Sequence, residues 1–243
     1  MTKTSITIDG QEIPVKIYRE RRRDVRFSLT RTGGYLRMPI QISEKEASVQ
    51  QGKFEKWLRE VTQKKPELVE RFRGRVYEDG MSLTVGKKNY LIRLSEKEAV
   101  KYHIARMEGD TIYITISTKD KGHHLQKSIR QLISRCVGND RLTDITERVQ
   151  YWNDNHFNKP VKNVRFKLNQ SNWGSCSTRG NINLSTRLLF APDDVIDYVI
   201  VHELAHTVEQ NHSAAFWKVV SDVMPDYKDK EVWLKKNGEQ CNF

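Results

Sequence analysis

The sequence lacks the features of secreted and membrane proteins. Its three cysteines, Cys136, Cys176 and Cys241, are too few and too scattered for a disulfide framework or a cysteine-rich zinc site. No run of about 18 apolar residues occurs, so we expect no transmembrane helix and no membrane partner. The first nine residues contain no apolar core of a secretion signal. A reducing cytoplasm is therefore the expected location.

Acidic residues are the scarcer charged class. The chain has 42 Lys and Arg against 31 Asp and Glu, which gives a net charge of +11. Residues 1–75 hold 18 basic and 10 acidic residues, so most of the excess lies in the first third. Such a surplus is typical of contact with nucleic acid, nucleotide phosphates or an acidic partner, although a solvated basic surface has the same composition. The surplus includes Arg21, Arg22 and Arg23, on a predicted strand edge or turn, where charge also prevents aggregation.

The stretch from Asp193 to Trp217 contains the pentapeptide His202-Glu203-Leu204-Ala205-His206. Pro192 and the acidic residues after it suit a first helical turn, and apolar residues recur at steps of three and four. We therefore predict a helix over 193–209. His202 and His206 leave the same face of that helix one turn apart, so their imidazoles can bind one metal ion. Glu203 lies beside them, in a position to take a proton from water.

A third histidine, His212, follows a predicted helix break at Gln210-Asn211. Ser213 is suited to cap the next helix, so His212 lies at a corner from which it can point back at the first helix. The H-E-x-x-H pattern also occurs by chance, but an apolar helix rarely carries two histidines unless they are paired or ligated. Three histidines with an open fourth position predict a catalytic site for Zn2+ rather than a structural one.

The remaining patterns predict an α+β fold. Alternating residues predict two hairpins within residues 4–40 and two more within 75–118. A capped helical segment is predicted from Ser43 to Arg71; Pro66 interrupts or ends its first helix, and a second short helix can follow. Gly33-Gly34 is predicted as a turn. A polar segment at 119–124 suggests a boundary, and its paired histidines, His123 and His124, are not expected to bind metal. We therefore divide the chain into a β-rich basic region, residues 1–120, and a metal-binding catalytic domain, residues 121–243.

The second half of the chain is predicted to alternate helices and strands. Helical periodicity covers 125–157, as one helix or as two that join near Gly138-Asn139. A strand is predicted over 164–168, and a second one over 181–190 leads into the helix of the histidines. The small residues before Gly180 suit a tight loop. Cys176 in that loop is interpreted as a buried structural thiol rather than a nucleophile.

Several short motifs surround the histidines. They are Trp173-Gly174-Ser175-Cys176-Ser177, Gly180-Asn181-Ile182-Asn183-Leu184, Ala191-Pro192 and Asn211-His212-Ser213-x-x-Phe216-Trp217. With the H-E-x-x-H helix they resemble the YgjP-like metallopeptidase family, which is related to SprT-like and other zincin peptidases. The resemblance covers roughly 125–235 and extends more loosely to the N-terminal half. One departure is Asn172, where the family usually has a basic residue.

The resemblance implies a zincin-like catalytic domain. It also implies His202, His206 and His212 as zinc ligands and Glu203 as the general base. In a peptidase, Glu203 would take a proton from water and pass it to the leaving amine, and the strand at 181–190 could pair with an extended peptide. Candidate substrate-binding residues are Trp173, Ser175 and Asn183, together with Arg21, Arg22 and Arg23.

Two other functions stay open. Nucleotide pyrophosphatase activity, particularly on UTP, is also attached to the family, and the arginine cluster would then hold the triphosphate. The substrate is therefore a peptide or a nucleotide. A third hypothesis is a binding protein with structural zinc, although a structural site has no need of a base such as Glu203. Nucleic acid is a candidate partner through the basic N-terminal region, including as the recruiting partner of a peptidase.

Overall fold

The computed structural model describes residues 1–8, 10–30, 33–66, 75–98, 100–118, 122–169 and 171–243, with the side chains of residues 11, 122 and 123 excepted. The chain has the predicted α+β fold, which divides into two compact units, Met1–Gly74 and Arg75–Phe243. Each unit buries an apolar core of its own.

In the part of the first unit that the structure describes, a four-stranded sheet is joined to one helix. Its strands are β1 (Thr2–Ile8), β2 (Gln11–Glu20), β3 (Arg26–Thr30) and β4 (Gly33–Pro39), in the order β1-β2-β4-β3. The central pair β2–β4 is parallel and the two outer pairs are antiparallel. Helix α1 (Glu44–Lys64) begins after Ser43, whose hydroxyl accepts a hydrogen bond from the Glu46 N–H, as the capping pattern predicted.

One prediction for this unit was wrong, and one was confirmed. Gly33 and Gly34 do not form a turn; they begin β4. Glycine is required at these positions because a side chain would collide with the neighbouring elements. A Cβ on Gly33 would lie 2.1 Å from the Pro14 carbonyl oxygen, and one on Gly34 would lie 2.9 Å from the Phe54 ring of α1. The first helix ends at Lys64, ahead of Pro66, as the proline predicted, and the second short helix predicted after Pro66 falls on residues 67–74, outside the described part of the chain.

The second unit opens with a repeat of the same topology. Strands β5 (Ser82–Val85), β6 (Lys88–Lys97), β7 (Ile104–Glu108) and β8 (Thr111–Ser117) have the order β5-β6-β8-β7. Again the central pair is parallel and the outer pairs are antiparallel. Helix α2 (Gly122–Asp140) follows, as α1 follows the first sheet. The chain therefore contains two ββββα modules.

The structural boundary at Gly74 differs from the one predicted at residue 120. The reason is the packing of the second sheet. Ile92, Ile112 and Ile114 of this sheet are fully buried in one core with Ile129 and Ile133 of α2. Of the polar segment at 119–124, which suggested the boundary, residues 119–121 lie outside the described residues, and residues 122–124 begin α2.

The rest of the second unit carries the histidines. Its elements are α3 (Leu142–Trp152), a π-helical turn (Asn153–Phe157), β9 (Asn163–Lys167), β10 (Gly174–Cys176), β11 (Asn181–Ser185), a 3-10 helix (Thr186–Phe190), α4 (Asp193–Ala205), α5 (Ala214–Val223) and α6 (Tyr227–Asn237). Strands β10, β11 and β9 form a small sheet in that order, with β11 antiparallel to β10 and parallel to β9.

Three sequence predictions need correction here. The segment predicted as a tight loop contains β10. The strand predicted over 181–190 ends at Ser185, because the next turn is a 3-10 helix that buries Leu188 and Leu189. The two helices predicted over 125–157 are present, but they join at Arg141. Among the helices that the structure describes, none has the length and apolar character needed to cross a membrane.

Candidate metal centre

Helix α4 carries the first two histidines. It starts after Pro192, whose carbonyl accepts hydrogen bonds from the N–H groups of Val195 and Ile196. Most of its side chains are buried, and its exposed positions lie in the first two turns and at its C-terminal end. His202 lies in the last turn, and His206 is the residue at which the helix ends. Their ring centroids are 5.1 Å apart, as expected for residues one turn apart.

The helix predicted to continue to residue 209 ends earlier, and this turn brings in His212. The N–H groups of Thr207 and Glu209 bond the carbonyls of Leu204 and Ala205, which closes a tight turn. Val208, predicted as part of the buried stripe, is 49% exposed. Ser213 then caps α5 by accepting from the Phe216 N–H at 3.3 Å, as predicted. His212 thus points back at α4.

The three imidazoles converge. Nε2 of His212 lies 3.1 Å from Nε2 of His202, and one nitrogen from each ring lies within 4.8 Å of the others. Tetrahedral zinc with three imidazole ligands requires nitrogen–nitrogen distances of about 3.3 Å. The Phe216 ring packs against all three imidazoles at centroid distances of 4.6–5.0 Å and holds them together.

The protonation of the histidines also suits a metal. Burial, followed by the neighbouring His206 and His212, lowers the pKa of His202 to about 4. Burial likewise lowers the pKa of His206. Both rings are therefore neutral at neutral pH, which is the form that binds a metal ion. His206 Nδ1 lies 3.3 Å from the Glu209 carbonyl oxygen, a contact that leaves Nε2 with its lone pair toward the cluster.

Glu203 is almost completely buried beside the cluster, with 4% exposure. Burial raises the pKa of its carboxyl to about 8, against a lowering effect from the Cys176 N–H, which hydrogen-bonds it. Its Oε2 and the Nδ1 of His202 are buried without a hydrogen-bond partner in the described residues. Buried polar atoms normally have a hydrogen-bond partner. A metal ion held by the three nitrogens, together with its bound water, would supply partners at this site.

Gly174 of β10 makes room for this carboxyl. A Cβ at residue 174 would lie 2.4 Å from Oε1 of Glu203 and less than 3 Å from its Cγ and Cδ. The sequence motif contained this glycine, but nothing in the sequence showed that it faces Glu203. Cys176 lies on the same face of β10, where burial, and then Glu203, raise the pKa of its thiol to about 11. Its thiol is therefore protonated, in keeping with a structural role.

Ser175 and Asn183 lie on the other face of the small sheet. They are register partners, and the Asn183 amide donates to the Ser175 hydroxyl at 3.4 Å. Because side chains alternate along a strand, Ser175 points away from the face on which Gly174 and Cys176 meet Glu203. The two predicted substrate-binding residues are thus together, on the face of the sheet that does not hold the carboxyl.

Trp173 and the arginine cluster have other surroundings. The Trp173 ring lies under the Arg187 guanidinium at 4.7 Å and closely approaches Gly238 near the C-terminus. Arg21, Arg22 and Arg23 follow β2 in the first unit, whereas the histidines belong to the second. Arg21 and Arg23 are exposed, and Arg22 is paired with Asp24 at 2.8 Å.

Aromatic residues that the sequence analysis did not assign line one side of the histidines. The Trp217 ring centroid lies 5.8 Å from that of His202 and 5.9 Å from that of His212. The Trp217 ring also stacks on Tyr227, with 5.4 Å between the centroids. Tyr198 contacts both His202 and Tyr227. Tyr198 comes four residues before His202 on the same helix face, and this spacing could have predicted their contact. Tyr227 lies farther along the chain, and no pattern in the sequence indicated its contact with Tyr198 and Trp217.

The comparisons with known proteins agree with this geometry. A family model described as "YgjP-like, metallopeptidase domain" matches residues 23–237, which span both units. The chain belongs to the YgjP-like metallopeptidase family. Membership in this family supports a hydrolase of the metallopeptidase type and implies a divalent metal ion.

The individual proteins similar to this YgjP-like protein match only part of the chain. The UTP pyrophosphatase of Escherichia coli (strain K12) is 28% identical over 91 residues, which cover 36% of this chain. The match covers 54% of that protein, so the chain spans about half the length of this curated relative. Two solved metallopeptidase zymogens also match 38% of this chain. Pyrococcus abyssi abylysin is 26% identical over 93% of its length, with a TM-score of 0.35. Methanocaldococcus jannaschii jannalysin is 18% identical over 94% of its length, with a TM-score of 0.34.

Zinc should stabilise this protein only through the histidine cluster. At a free zinc concentration 100 times its Kd, one site adds about 2.7 kcal/mol to the free energy of unfolding and raises the Tm by roughly 5–10 °C. We expect His206→Ala to lose this rise. His124→Ala removes an exposed histidine outside the cluster and should keep it. Differential scanning calorimetry with and without zinc provides the measurement, and an equal rise in wild type and His206→Ala would contradict the assignment.

Proposed function

We propose that this chain is a zinc-dependent hydrolase that cleaves peptide bonds, with His202, His206 and His212 as zinc ligands. The observation that carries the proposal is the convergence of three imidazole nitrogens beside one buried carboxyl. Three nitrogen ligands with a side open to solvent are typical of catalytic zinc, and His212 is exposed. Bound zinc would polarise the scissile carbonyl and lower the pKa of a water molecule.

Glu203 is the proposed general base. Its carboxyl is fixed between α4 and β10, where the Cys176 N–H holds one oxygen and Oε2 has no partner in the described residues. The positive charge of a bound zinc ion would favour the ionised form of this buried carboxyl, so that Oε2 would accept a proton from the attacking water and pass it to the leaving nitrogen. Because the site is partly buried, the effective dielectric constant is lower than in water, and the carboxyl interacts more strongly with nearby charges.

The substrate is proposed to lie along β10. We expected an extended peptide to pair with the strand at 181–190, but β11 is the central strand and both of its edges are paired. Strand β10 is an edge strand, and it is also the strand that touches Glu203. Pairing with this edge would bring a peptide past the proposed base. The three cysteines, which form no disulfide, support a location in the reducing cytoplasm.

A nucleoside triphosphate pyrophosphatase is the second candidate function. It is favoured by the identity with a protein named UTP pyrophosphatase, which covers 36% of this chain. In this reaction the same carboxyl would activate water for attack on a phosphoryl group. Of the arginines expected to hold the triphosphate, Arg22 is already paired with Asp24.

Replacement of Glu203 by Gln should separate metal binding from turnover. The amide keeps the shape of the side chain but cannot accept the proton, so we expect zinc to be retained and the rate to fall by roughly 10²- to 10⁴-fold. Zinc-loaded wild type and Glu203→Gln are compared on an unfolded protein and on a panel of nucleoside triphosphates. Loss of peptide cleavage alone supports the peptidase, and loss of pyrophosphate release alone supports the second candidate. Full activity of Glu203→Gln would refute the proposed base.

Replacement of Gly174 by Ala should reduce activity by displacing Glu203. The added methyl would overlap the carboxyl, and a shift of about 1 Å at a reacting group can cost roughly 100-fold in rate. We expect kcat to fall while zinc content stays at one ion per chain. Thr178→Ala, at an exposed position beyond β10, is the control and should keep its activity. An unchanged kcat in Gly174→Ala would show that the position of Glu203 does not limit the reaction.

A further inference from the structure

A groove lies between α2 and the edge strand β9, outside the proposed active site. Its volume is about 330 Å³. Arg135 and Asn139 border it from α2, and Arg165 and Lys167 border it from β9. All four side chains are exposed. Its floor is apolar, where Phe166 packs closely against Gly138.

The cations of this groove have no carboxylate beside them. No Asp or Glu lines the groove, and in the described ranges Arg135, Arg165 and Lys167 form no ion pair. Several other surface cations of the same unit are paired with carboxylates. Lys88 contacts Asp110 and Asp140, and Arg148 contacts Asp193 and Asp197. Three positive charges around one groove without a counter-charge repel one another, and a bound anion would relieve that repulsion.

The sequence around β9 has the same charge bias. Residues 158–192 contain six Lys or Arg and no Asp or Glu. Arg187 is buried and donates to the carbonyl oxygens of Gly238 and Cys241, so its charge serves the fold. The other five cations of this stretch are exposed: Lys159, Lys162, Arg165, Lys167 and Arg179.

Neutral donors extend the groove across the outer face of the small sheet. Arg165 is the register partner of Asn183, and Asn183 is the partner of Ser175. The next row joins the amides of Asn163 and Asn181 by a hydrogen bond of 3.1 Å. This face therefore presents amides, hydroxyls and cations, which are the groups that bind phosphate oxygens. Charged residues also protect an edge strand, but that role does not explain Arg135 on α2.

We propose that this groove and the adjoining sheet face bind the phosphate backbone of double-stranded nucleic acid. Phe166 is the aromatic residue among those that line the groove, and it packs against the core, so the groove offers no ring on which bases could stack. Recognition would therefore rest on phosphate contacts and be independent of base sequence. The composition had suggested residues 1–75 for such a contact, whereas this groove lies in the second unit. The proposal does not depend on the hydrolytic activity.

The test is binding of a fluorescein-labelled 20-bp DNA duplex, measured by anisotropy over a range of salt concentrations. The variant is Arg135→Gln/Arg165→Gln/Lys167→Gln. The matched control, Lys87→Gln/Lys218→Gln/Lys235→Gln, removes the same charge from lysines that are paired with Asp193, Asp222 and Glu231. Each phosphate contact contributes about −0.9 to the slope of log K against log salt. We expect the groove variant to have a slope shallower by about 2.7 and an affinity at least about tenfold lower at 0.1 M salt.

The controls separate this proposal from its alternatives. The paired lysines should matter little, so the control variant should stay within about twofold of wild type. Glu203→Gln should bind the duplex as wild type does, whatever its effect on turnover. Equal losses in the two triple variants, or no binding by wild type, would overturn the proposal. Displacement of the duplex by inorganic triphosphate at an equal phosphate concentration would overturn it too, because the groove would then be a site for a small polyphosphate.

Discussion

The close approach of α4 to β10 is the contact on which the candidate site depends. A carboxyl buried without an ion pair is costly, and Glu203 bears that cost next to three imidazoles whose nitrogens converge. The strand can come so near only because residue 174 has no side chain. Trp173, which comes just before this strand, contacts the C-terminal part of the chain. The Trp173 ring contacts the Arg187 guanidinium and approaches Gly238 closely, and Arg187 donates to the Gly238 carbonyl oxygen. We infer that the C-terminal segment helps to set the position of the proposed base.

The two ββββα modules show how the same topology serves different units. In the first, the sheet closes with α1 over a core of its own. In the second, the strands share one core with α2 and the helices that carry the histidines. The second sheet is therefore part of the unit that carries the histidines. This arrangement explains why a division of the chain by composition, at the polar segment near residue 120, differs from the division by packing.

Features set by local chemistry could be predicted from the sequence. The four hairpins, the caps at Ser43 and Ser213 and the convergence of His202 and His206 each follow from short-range spacing. Features set by distant contacts could not. Gly33 and Gly34 were interpreted as a turn, but they are required by Pro14 and Phe54. Similarly, Gly174 acquires its meaning from Glu203, 29 residues later, and the alternation that places Ser175 on the opposite face became visible only with the register of β10.

A crystal structure of the zinc-loaded protein, with anomalous diffraction data on both sides of the zinc absorption edge, tests the central claim most directly. The account predicts one strong zinc peak about 2.0–2.1 Å from Nε2 of His202, His206 and His212. It also predicts that the Glu203 carboxyl is close to the ion without being a ligand. A peak elsewhere in the chain, or an ion bound without His212 or ligated by Glu203, would contradict the account.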